Sequence, residues 1–289
     1  MPVIETQGLS YVYGKGTPFE KAALIDVDIQ IHQGEFIGVI GHTGSGKSTF
    51  VQTLNGLLRP TSGKVLLNGK DIWAEPKKIR DIRFQVGMVF QYPEHQLFEE
   101  TVAKDISFGP KNMGLGEEEI ERRVADAASF VGLREELLQK SPFEISGGEK
   151  RRAAIAGVIA MDPDVLILDE PTAGLDPKGR DVLLSQMMDY HQKRRNTVLL
   201  VSHSMEDIAR IADRVLVINN GSVAMFDKTS EVFARGVELE KMGLRVPQIT
   251  KIMAALQKKG VRLSSGVLTV EQGVRELLRA LERKGEYRG

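Results

Sequence analysis

The sequence predicts an α/β protein built on a mostly parallel sheet that is covered by helices. Five short runs rich in Val, Ile and Leu are typical of buried strands, and each is followed by polar or glycine-containing punctuation. Parallel strands need long crossover connections, so this alternation favours helices packed on the faces of one sheet. The predicted strands are Phe36–Ile40, Val86–Phe90, Val165–Leu168, Thr197–Val201 and Arg214–Ile218.

The first 35 residues and the middle of the chain follow other patterns. Ile4–Thr6 and Leu24–Ile31 alternate like antiparallel strands, and Gly63–Gly69 is predicted to be a strand that ends in an Asn-Gly turn. Near residues 100–160 the pattern becomes helical, and the segment Glu117–Val131 opens with three Glu, which favour a helix N-terminus. We therefore expect an antiparallel β edge and a helical lobe.

The last 50 or so residues predict two amphipathic helices joined by a hairpin-like stretch. Gly260 is the expected stop of the first helix, and Thr269 with Gln272 resembles a capping box that opens the second. We divide the chain into residues 1–230 and 231–289. The apolar positions with helical spacing are Ile249, Ile252, Met253, Leu256, Val274, Leu277, Leu278 and Leu281.

The composition narrows the function classes. Of 289 residues 42% are hydrophobic, and 39 Lys and Arg balance 39 Asp and Glu, so nothing favours nucleic acid as a bulk partner. The absence of Cys excludes disulfides and thiolate chemistry. The longest apolar stretch, Ala153–Met161, is shorter than the roughly 20 residues of a membrane helix. We expect a soluble, cytoplasmic chain that would need another polypeptide to work at a membrane.

A phosphate-binding loop is the strongest local signal. Gly41–Ser48 matches G-x-x-x-x-G-K-S/T at every fixed position, between the strand Phe36–Ile40 and the helical pattern Thr49–Leu57. The alternative is an ordinary glycine-rich turn. In the functional interpretation, backbone N–H groups converge on phosphate, the lysine reaches the β- and γ-phosphates and Ser48 ligates Mg²⁺. The expected nucleotide contacts are Gly41, Thr43, Gly44, Ser45, Gly46, Lys47, Ser48 and Thr49.

Two acids end the predicted strand Val165–Leu168. At the carboxyl end of a strand in an open α/β sheet, Asp169 and Glu170 would face the ligand crevice. Asp169 would hold Mg²⁺ through water, and Glu170 would orient or deprotonate the attacking water. The alternative is that both acids only cap a helix.

Further motifs resemble those of ATP-binding cassette (ABC) ATPases. Ile145–Glu149 resembles the signature sequence L-S-G-G-Q, although Glu149 departs from the usual Gln. Gln91 resembles the Q-loop glutamine, Ala173–Asp176 the D-loop, and His203 the switch histidine. The motifs occur in the order that this family uses, from about residue 3 to residue 230.

The resemblance implies a P-loop NTPase fold of the ABC-ATPase type and assigns roles to these residues. Tyr13 would stack on adenine, with Tyr11 as the other candidate and a packing role as the alternative for either. The resemblance implies catalysis by Lys47, Gln91, Glu170 and His203, and a metal site at Ser48, Gln91 and Asp169. Contacts to a nucleotide on the opposite subunit would come from Ser146, Gly147, Gly148, Glu149 and Asp176.

Glu149 leaves two interpretations open. An acid at this position either weakens one half-site or is tolerated because its side chain points away from the phosphate. Likewise, Ser146 either contacts that phosphate or acts as a simple helix cap.

The segment Phe90–Phe98 with Thr101–Asn112 resembles the second ATPase subunit of energy-coupling factor importers for vitamins and other micronutrients. That resemblance implies a paralogous ATPase as heterodimer partner, a transmembrane coupling subunit, and a substrate-binding membrane subunit reached through the complex. It implies ATP and Mg²⁺ as cofactors and a peripheral position on the cytoplasmic face of the membrane. Candidate contacts to the coupling subunit, or else ordinary surface residues, are Glu94, His95, Gln96, Leu97, Phe98 and Asp105.

Two questions stay open at this point. The C-terminal helices resemble a dimerisation extension, but their apolar stripes would equally pack on their own cassette. A soluble, non-transport ABC ATPase that acts on nucleic acid is the alternative function, and the zero net charge weighs against it.

Overall fold

A computed structural model describes residues 1–264 and 266–285. Ten strands and eleven α-helices occupy these residues. The strands are β1 (Pro2–Tyr13), β2 (Lys21–His32), β3 (Phe36–Ile40), β4 (Ser62–Leu67), β5 (Lys70–Asp71), β6 (Val86–Val89), β7 (Val165–Asp169), β8 (Thr197–Val201), β9 (Arg214–Asn219) and β10 (Ser222–Lys228).

The helices follow the strands of the larger sheet and also form a separate group near the middle of the chain. They are α1 (Lys47–Leu54), α2 (Ile79–Gln85), α3 (Val102–Asn112), α4 (Glu117–Phe130), α5 (Gly147–Ile159), α6 (Pro177–Arg194), α7 (Met205–Ile211), α8 (Thr229–Ala234), α9 (Gly236–Lys241), α10 (Gln248–Lys258) and α11 (Val270–Gly285). Short 3-10 helices lie at Pro76–Lys78, Pro93–Gln96, Glu135–Leu137 and Pro142–Glu144.

The strands form two sheets, which confirms the predicted α/β class. The larger sheet has the order β10-β9-β3-β8-β7-β6, and all its neighbours are parallel except the β10–β9 pair at one edge. The smaller sheet is antiparallel with the order β2-β1-β4-β5. Two of the five predicted parallel strands coincide with the observed bounds, and the others differ by one residue.

The hydrophobic core lies on both faces of the larger sheet. Successive side chains of a strand point to opposite faces, so Phe36 and Ile40 of β3 join one core cluster while Ile37 and Val39 join the other. All five residues of β3 are buried. This two-sided burial explains the continuous apolar runs in the sequence.

Local turn chemistry accounts for the element ends. The predicted Asn-Gly turn is present between β4 and β5, with φ of +49° at Asn68 and +78° at Gly69, as a two-residue hairpin requires. The prediction of a helix to Leu57 was wrong, because α1 ends at Leu54 and Gly56 takes a φ of +69° that favours termination.

The helical lobe near residues 100–160 consists of α3, α4 and α5, which pack on one another. The division of the chain at residue 230 stays a prediction. Residues on both sides of it contribute to one core cluster, which includes Val232, Phe233, Leu239, Leu244 and Val246.

The C-terminal segment forms the two predicted helices, and the capping box of α11 is present. The Gln272 N–H donates to Thr269 Oγ1 at 3.3 Å, and the Thr269 N–H donates to Gln272 Oε1 at 3.3 Å. The hairpin-like connection was wrong: residues 259–264 and 266–269 contain no strand. Side chains satisfy carbonyl groups there, since Gln257 Nε2 donates to Leu263 O and Ser264 O. Across the described residues, no helix combines the length and apolar character of a membrane span.

Candidate active site

The loop between β3 and α1 has the backbone shape that phosphate binding requires. Gly46 caps α1 with a φ of +109°, and a Cβ there would lie 2.4 Å from Ala23 O. A Cβ at Gly41 would lie 2.4 Å from Ile218 O. No side chain caps the first turn of α1, so its N–H groups remain available to an anion. Glycine is therefore required at both positions by steric fit.

Lys47 lies inside this loop. Its Nζ donates to Gly41 O at 2.9 Å and to His42 O at 3.0 Å, and the residue is 6% exposed. Burial lowers the pKa of the Lys47 ammonium, while the nearby Glu170 and Asp169 carboxylates oppose that shift. The Lys47 ammonium group is thus held against the backbone of the loop, beside Asp169 and Glu170, the two acids predicted at the end of strand β7.

Ser48 and Asp169 are the oxygen donors that fit Mg²⁺. The Ser48 side chain hydrogen-bonds the buried Asp169 carboxylate. Burial raises the pKa of Asp169, and the Ser48 hydrogen bond opposes that rise. In the part of the chain that the structure describes, no three His, Cys, Asp or Glu side chains form a metal-binding group. Mg²⁺ normally takes only one or two protein oxygens and completes its shell with water and phosphate, so this sparse pair fits it.

Glu170 is held from both sides by two other predicted site residues, a pairing that the sequence did not predict. Gln91 Nε2 donates to Glu170 Oε2 at 3.0 Å, and His203 Nε2 lies 2.7 Å from Glu170 Oε1. The three residues follow β6, β7 and β8, which are neighbours in the sheet. Glu170 itself has a φ of +51°, and its N–H donates to Val201 O at 3.0 Å. Backbone strain of this kind concentrates at functional sites.

Tyr13 faces the phosphate loop. Its hydroxyl lies 3.1 Å from Thr49 Oγ1, and its ring meets Tyr11 edge-on at 4.8 Å between centroids. Tyr13, Lys21 and Ala23 line a cavity of 190 Å³ together with Gly44, Gly46, Lys47, Ser48 and Thr49. The sequence interpretation missed Lys21. The feature that places Lys21 at this cavity is the β1–β2 register, which pairs Lys21 directly with Tyr13 and so points both side chains to one face.

The signature segment lies at a different cavity. Ser146 caps α5, and Asp176 caps α6 by accepting the Gly179 N–H at 2.6 Å. Gly148 and Asp176 line one cavity of 590 Å³, and no residue of the Gly41–Ser48 loop is among its lining residues. The structure therefore places the signature next to the D-loop. The cavity that they line is separate from the pocket lined by Tyr13.

A buried ion pair that sequence reasoning missed joins three of these motifs. Arg151 Nη2 lies 2.6 Å from Glu94 Oε1, and the same guanidinium donates to Ala173 O at 2.6 Å and to Pro171 O at 3.3 Å. Burial alone would raise the pKa of Glu94, but the hydrogen bonds from Arg151, a backbone hydrogen bond and the nearby positive charge together outweigh it and lower the pKa. Because Arg151 follows the signature and Ala173 opens the D-loop, this pair links both to the segment after Gln91.

The six candidate contacts in that segment have different surroundings. Glu94 is bound to Arg151, Leu97 packs against the core, and Asp105 accepts the Phe98 and Glu99 N–H groups at 3.2 Å. Burial raises the pKa of Asp105. The exposed candidates are His95, Gln96 and Phe98. Phe98 is 61% exposed and meets Phe108 edge-on at 5.0 Å.

A glycine loop after the central parallel strand β3, a buried lysine within it and acids at the end of β7, two strands away in the same sheet, define a phosphate-loop nucleotide-binding protein. The sequence model of the ABC transporter family matches residues 24–173. The chain belongs to this family, and its fold is the ATP-binding cassette.

Known relatives agree with this classification. An energy-coupling factor transporter ATP-binding protein, EcfA2 of Caldanaerobacter subterraneus subsp. tengcongensis, is 54% identical, covering 96% of this chain and 97% of that protein. The structure of cbiO1 from Clostridium perfringens, described as part of the ABC transporter complex cbiONQ, has a TM-score of 0.74 and 38% identity, covering 88% of this chain and 99% of its own. The dimeric bacterial ABC transporter cassette MJ0796 has a TM-score of 0.70 and 26% identity, covering 78% and 98%. None of these names supports the nucleic-acid alternative.

Proposed function

We propose that this protein is the ATP-binding and ATP-hydrolysing subunit of an energy-coupling factor type importer for vitamins or other micronutrients. One observation carries the hydrolytic part. Glu170 is bound by both Gln91 and His203 beside the buried Lys47, as a residue that orients a water against a terminal phosphate needs to be. The importer type rests on the similarity to EcfA2 over nearly the whole chain.

In the proposed reaction, a water oxygen bonds to the γ-phosphorus as the bond to the β–γ bridging oxygen breaks, giving ADP and phosphate. Glu170 orients the water and takes its proton, while Gln91 and His203 hold the carboxylate in place. Lys47 and the N–H groups of the loop stabilise charge on the phosphates. Ser48, Asp169 and Gln91 are the residues that would hold Mg²⁺, and the bound ion would supply positive charge to the phosphate oxygens.

The proposed assembly has four kinds of chain. This chain pairs with a paralogous ATPase, so that Ser146–Glu149 and Asp176 of each cassette complete the nucleotide site of the other. A transmembrane coupling subunit docks on the segment after Gln91, and a substrate-binding membrane subunit joins through it. The exposed Phe98–Phe108 aromatic pair supports this surface. The chain would then work at the cytoplasmic face of the membrane.

Replacing the catalytic carboxylate tests the hydrolytic role. Glu170→Gln in the assembled ATPase pair is expected to lower kcat by about 100-fold or more while ATP binding persists, because the proton acceptor is lost but the phosphate loop is intact. Steady-state phosphate release and nucleotide titration measure the two effects. Glu231→Gln, an exposed acid at the start of α8, is the matched control. Near-normal turnover of Glu170→Gln would contradict the assignment.

A second experiment tests the docking surface. Phe98→Ala is expected to lower recovery of the transmembrane coupling subunit when all chains are co-expressed and purified from membranes, because an exposed aromatic side chain that the interface would bury is lost. Phe19→Ala is the control, since Phe19 is also exposed but lies in the β1–β2 hairpin. Equal recovery with both variants would place the docking site elsewhere.

A further inference from the structure

The departure of Glu149 from the signature pattern has a structural consequence at Ser146. Glu149 Oε2 accepts the Ser146 N–H at 2.9 Å and the Ser146 O–H at 2.7 Å. The Glu149 N–H in turn donates to Ser146 Oγ at 3.4 Å. The side chain therefore folds back on the helix cap, and three hydrogen bonds tie these two residues together.

Counting protons shows why this matters for an anion. A serine hydroxyl has one proton, and the oxygens of an ionised carboxylate or a phosphate can only accept it. While Ser146 donates to Glu149, it cannot also donate to a phosphate oxygen. A glutamine at this position has an NH₂ group that can donate to Ser146 Oγ, which would leave the hydroxyl proton free.

Charge acts in the same direction. Hydrogen bonds from the Ser146 hydroxyl and N–H lower the pKa of Glu149, so its carboxylate is ionised at neutral pH. That negative charge lies in the first turn of α5, beside N–H groups that would otherwise attract an anion. Arg134 Nη2 lies 3.5 Å from Glu149 Oε1, and Arg134 also pairs with Glu136 at 2.6 Å. The Arg134 guanidinium, shared with Glu136, and the charge of Arg152 thus balance the acid in part.

We propose that Glu149 is a positioning residue that accepts the hydrogen bond of the Ser146 hydroxyl and so keeps this hydroxyl from donating to a phosphate. We call this hydrogen bond the lock. Arg134 weakens the lock by balancing part of the charge of Glu149. The inference rests on the proposed function, in which Ser146 meets the terminal phosphate of the nucleotide bound by the paralogous ATPase. Closure of the two ATPase subunits then requires the Ser146 hydroxyl to break its hydrogen bond to Glu149 and to donate to the phosphate instead. The half-site formed by this chain's signature closes less readily than one with glutamine.

Glu149→Gln tests the lock in the purified heterodimer. The KM for ATP is expected to fall by about 10-fold, the size of one hydrogen bond to a charged group, while kcat changes little. Glu144→Gln is the matched control, because Glu144 accepts the Ser141 N–H at 3.2 Å in the capping box just before the signature. A KM that is unchanged or raised in Glu149→Gln would overturn the proposal.

A double-mutant cycle with Arg134 separates positioning from packing. Arg134→Met is expected to raise the KM for ATP about 3-fold where Glu149 is present and to have no effect in the Glu149→Gln background, because the acid it balances is gone. Equal effects in both backgrounds would overturn the proposal. Thermal unfolding of each variant identifies any loss of folding, which a capping glutamine at the third helical position is expected to avoid.

Ser146→Arg distinguishes failure of this inference from failure of the proposed function. The long side chain at the cap would fill the space of the phosphate and remove the serine hydroxyl, so hydrolysis by the pair is expected to be lost. If Ser146→Arg hydrolyses ATP normally, the signature takes no part in the site and the proposed composite arrangement fails with the lock. If Ser146→Arg is inactive and Glu149→Gln behaves as wild type, only the lock is wrong.

Discussion

The N-termini of α1 and α5 are two candidate anion sites that differ in how their free N–H groups are satisfied. At α1 the cap is Gly46, no side chain bonds to the first turn, and no acid lies in it. At α5 the cap is Ser146, its side chain and that of Glu149 bond reciprocally, and the acid lies in the first turn. The first terminus is open to phosphate, whereas the second is already satisfied by its own side chains.

The difference between these two helix N-termini shows how one chain can bind nucleotide at one terminus and contribute to closure of the ATPase pair at the other. Lys47 adds a cation at the open terminus, so nucleotide binding is expected of the isolated chain. The capped terminus must exchange its internal hydrogen bonds for phosphate contacts, so its contribution is expected only when a partner brings a nucleotide to it. The following predictions test that contrast in order of decreasing effect.

The largest expected effect is at the open terminus. Lys47→Met should weaken ATP binding by the isolated chain about 100-fold, because a charge-assisted hydrogen bond to phosphate is removed. Titration with a fluorescent nucleotide measures this. Lys15→Met, an exposed lysine in the β1–β2 hairpin, is expected to bind like wild type. Equal affinities of the two variants would mean that the phosphates bind elsewhere.

Alanine at one glycine near each terminus, the cap Gly46 of α1 and Gly148 in the first turn of α5, should separate the two termini. Gly46→Ala is expected to weaken nucleotide binding by the isolated chain about 10-fold or more, because its Cβ would lie 2.4 Å from Ala23 O at a φ of +109°. Gly148→Ala meets only Arg152 Nη1 at 3.9 Å, so it should leave that binding unchanged. Isothermal titration with ATP compares them, and an equal loss in both would contradict the contrast.

The helix cap itself carries a smaller effect. Ser146→Ala should lower the free energy of unfolding of the isolated chain by about 1 kcal/mol, because a side-chain cap of α5 is lost. Urea unfolding measures the change. Ser129→Ala, at an exposed position inside α4, is the control and should not destabilise the chain. A Ser146→Ala variant as stable as wild type would argue that the cap is not formed in solution.

Asp169→Asn should make the chain slightly more stable. Burial raises the pKa of Asp169 above its ordinary value of 3.8, so its stabilising effect is full below that pH and is lost as pH rises through the folded-state pKa. Asparagine stays neutral, so the melting temperature near pH 7 should rise by a few degrees and vary less with pH.

The effect of Mg²⁺ on the melting temperature distinguishes the Asp169 site from other buried carboxyl groups. Mg²⁺ added with ATP should raise the melting temperature of wild type by mass action, and Asp169→Asn should lose that increment. Asp164→Asn is the control, because burial also raises the pKa of Asp164, outside the phosphate loop. A full Mg²⁺ increment in Asp169→Asn would exclude this carboxylate from the metal site.

Much of the fold was predictable because its signals are local. Buried strands appear as continuous apolar runs, and the loop from Gly41 to Ser48 needs only neighbouring residues to take its shape. The end of α1 was missed by three residues, since Gly56 stops a helix by its conformation and not by its hydrophobic pattern. The prediction of a hairpin before α11 was wrong because side chains of the flanking helices satisfy the backbone hydrogen-bonding groups of that segment.

The candidate site was predictable in its residue types but not in its pairings. Glu94 and Arg151 are far apart in sequence, and nothing local marks them as a buried ion pair. Lys21 reaches the pocket beside Tyr13 only through the β1–β2 register. Such pairings depend on how distant segments pack, which side-chain type alone does not encode.

By itself the sequence determined the class of the protein, because phosphate binding depends on a short glycine loop with a lysine whose geometry is local. Only the tertiary structure decided which groups meet. It placed Gln91 and His203 on either side of Glu170 by setting three parallel strands next to each other. The pairing of Glu149 with Ser146, by contrast, is local, because a serine at the helix cap and a glutamate three residues later bond reciprocally as a capping box.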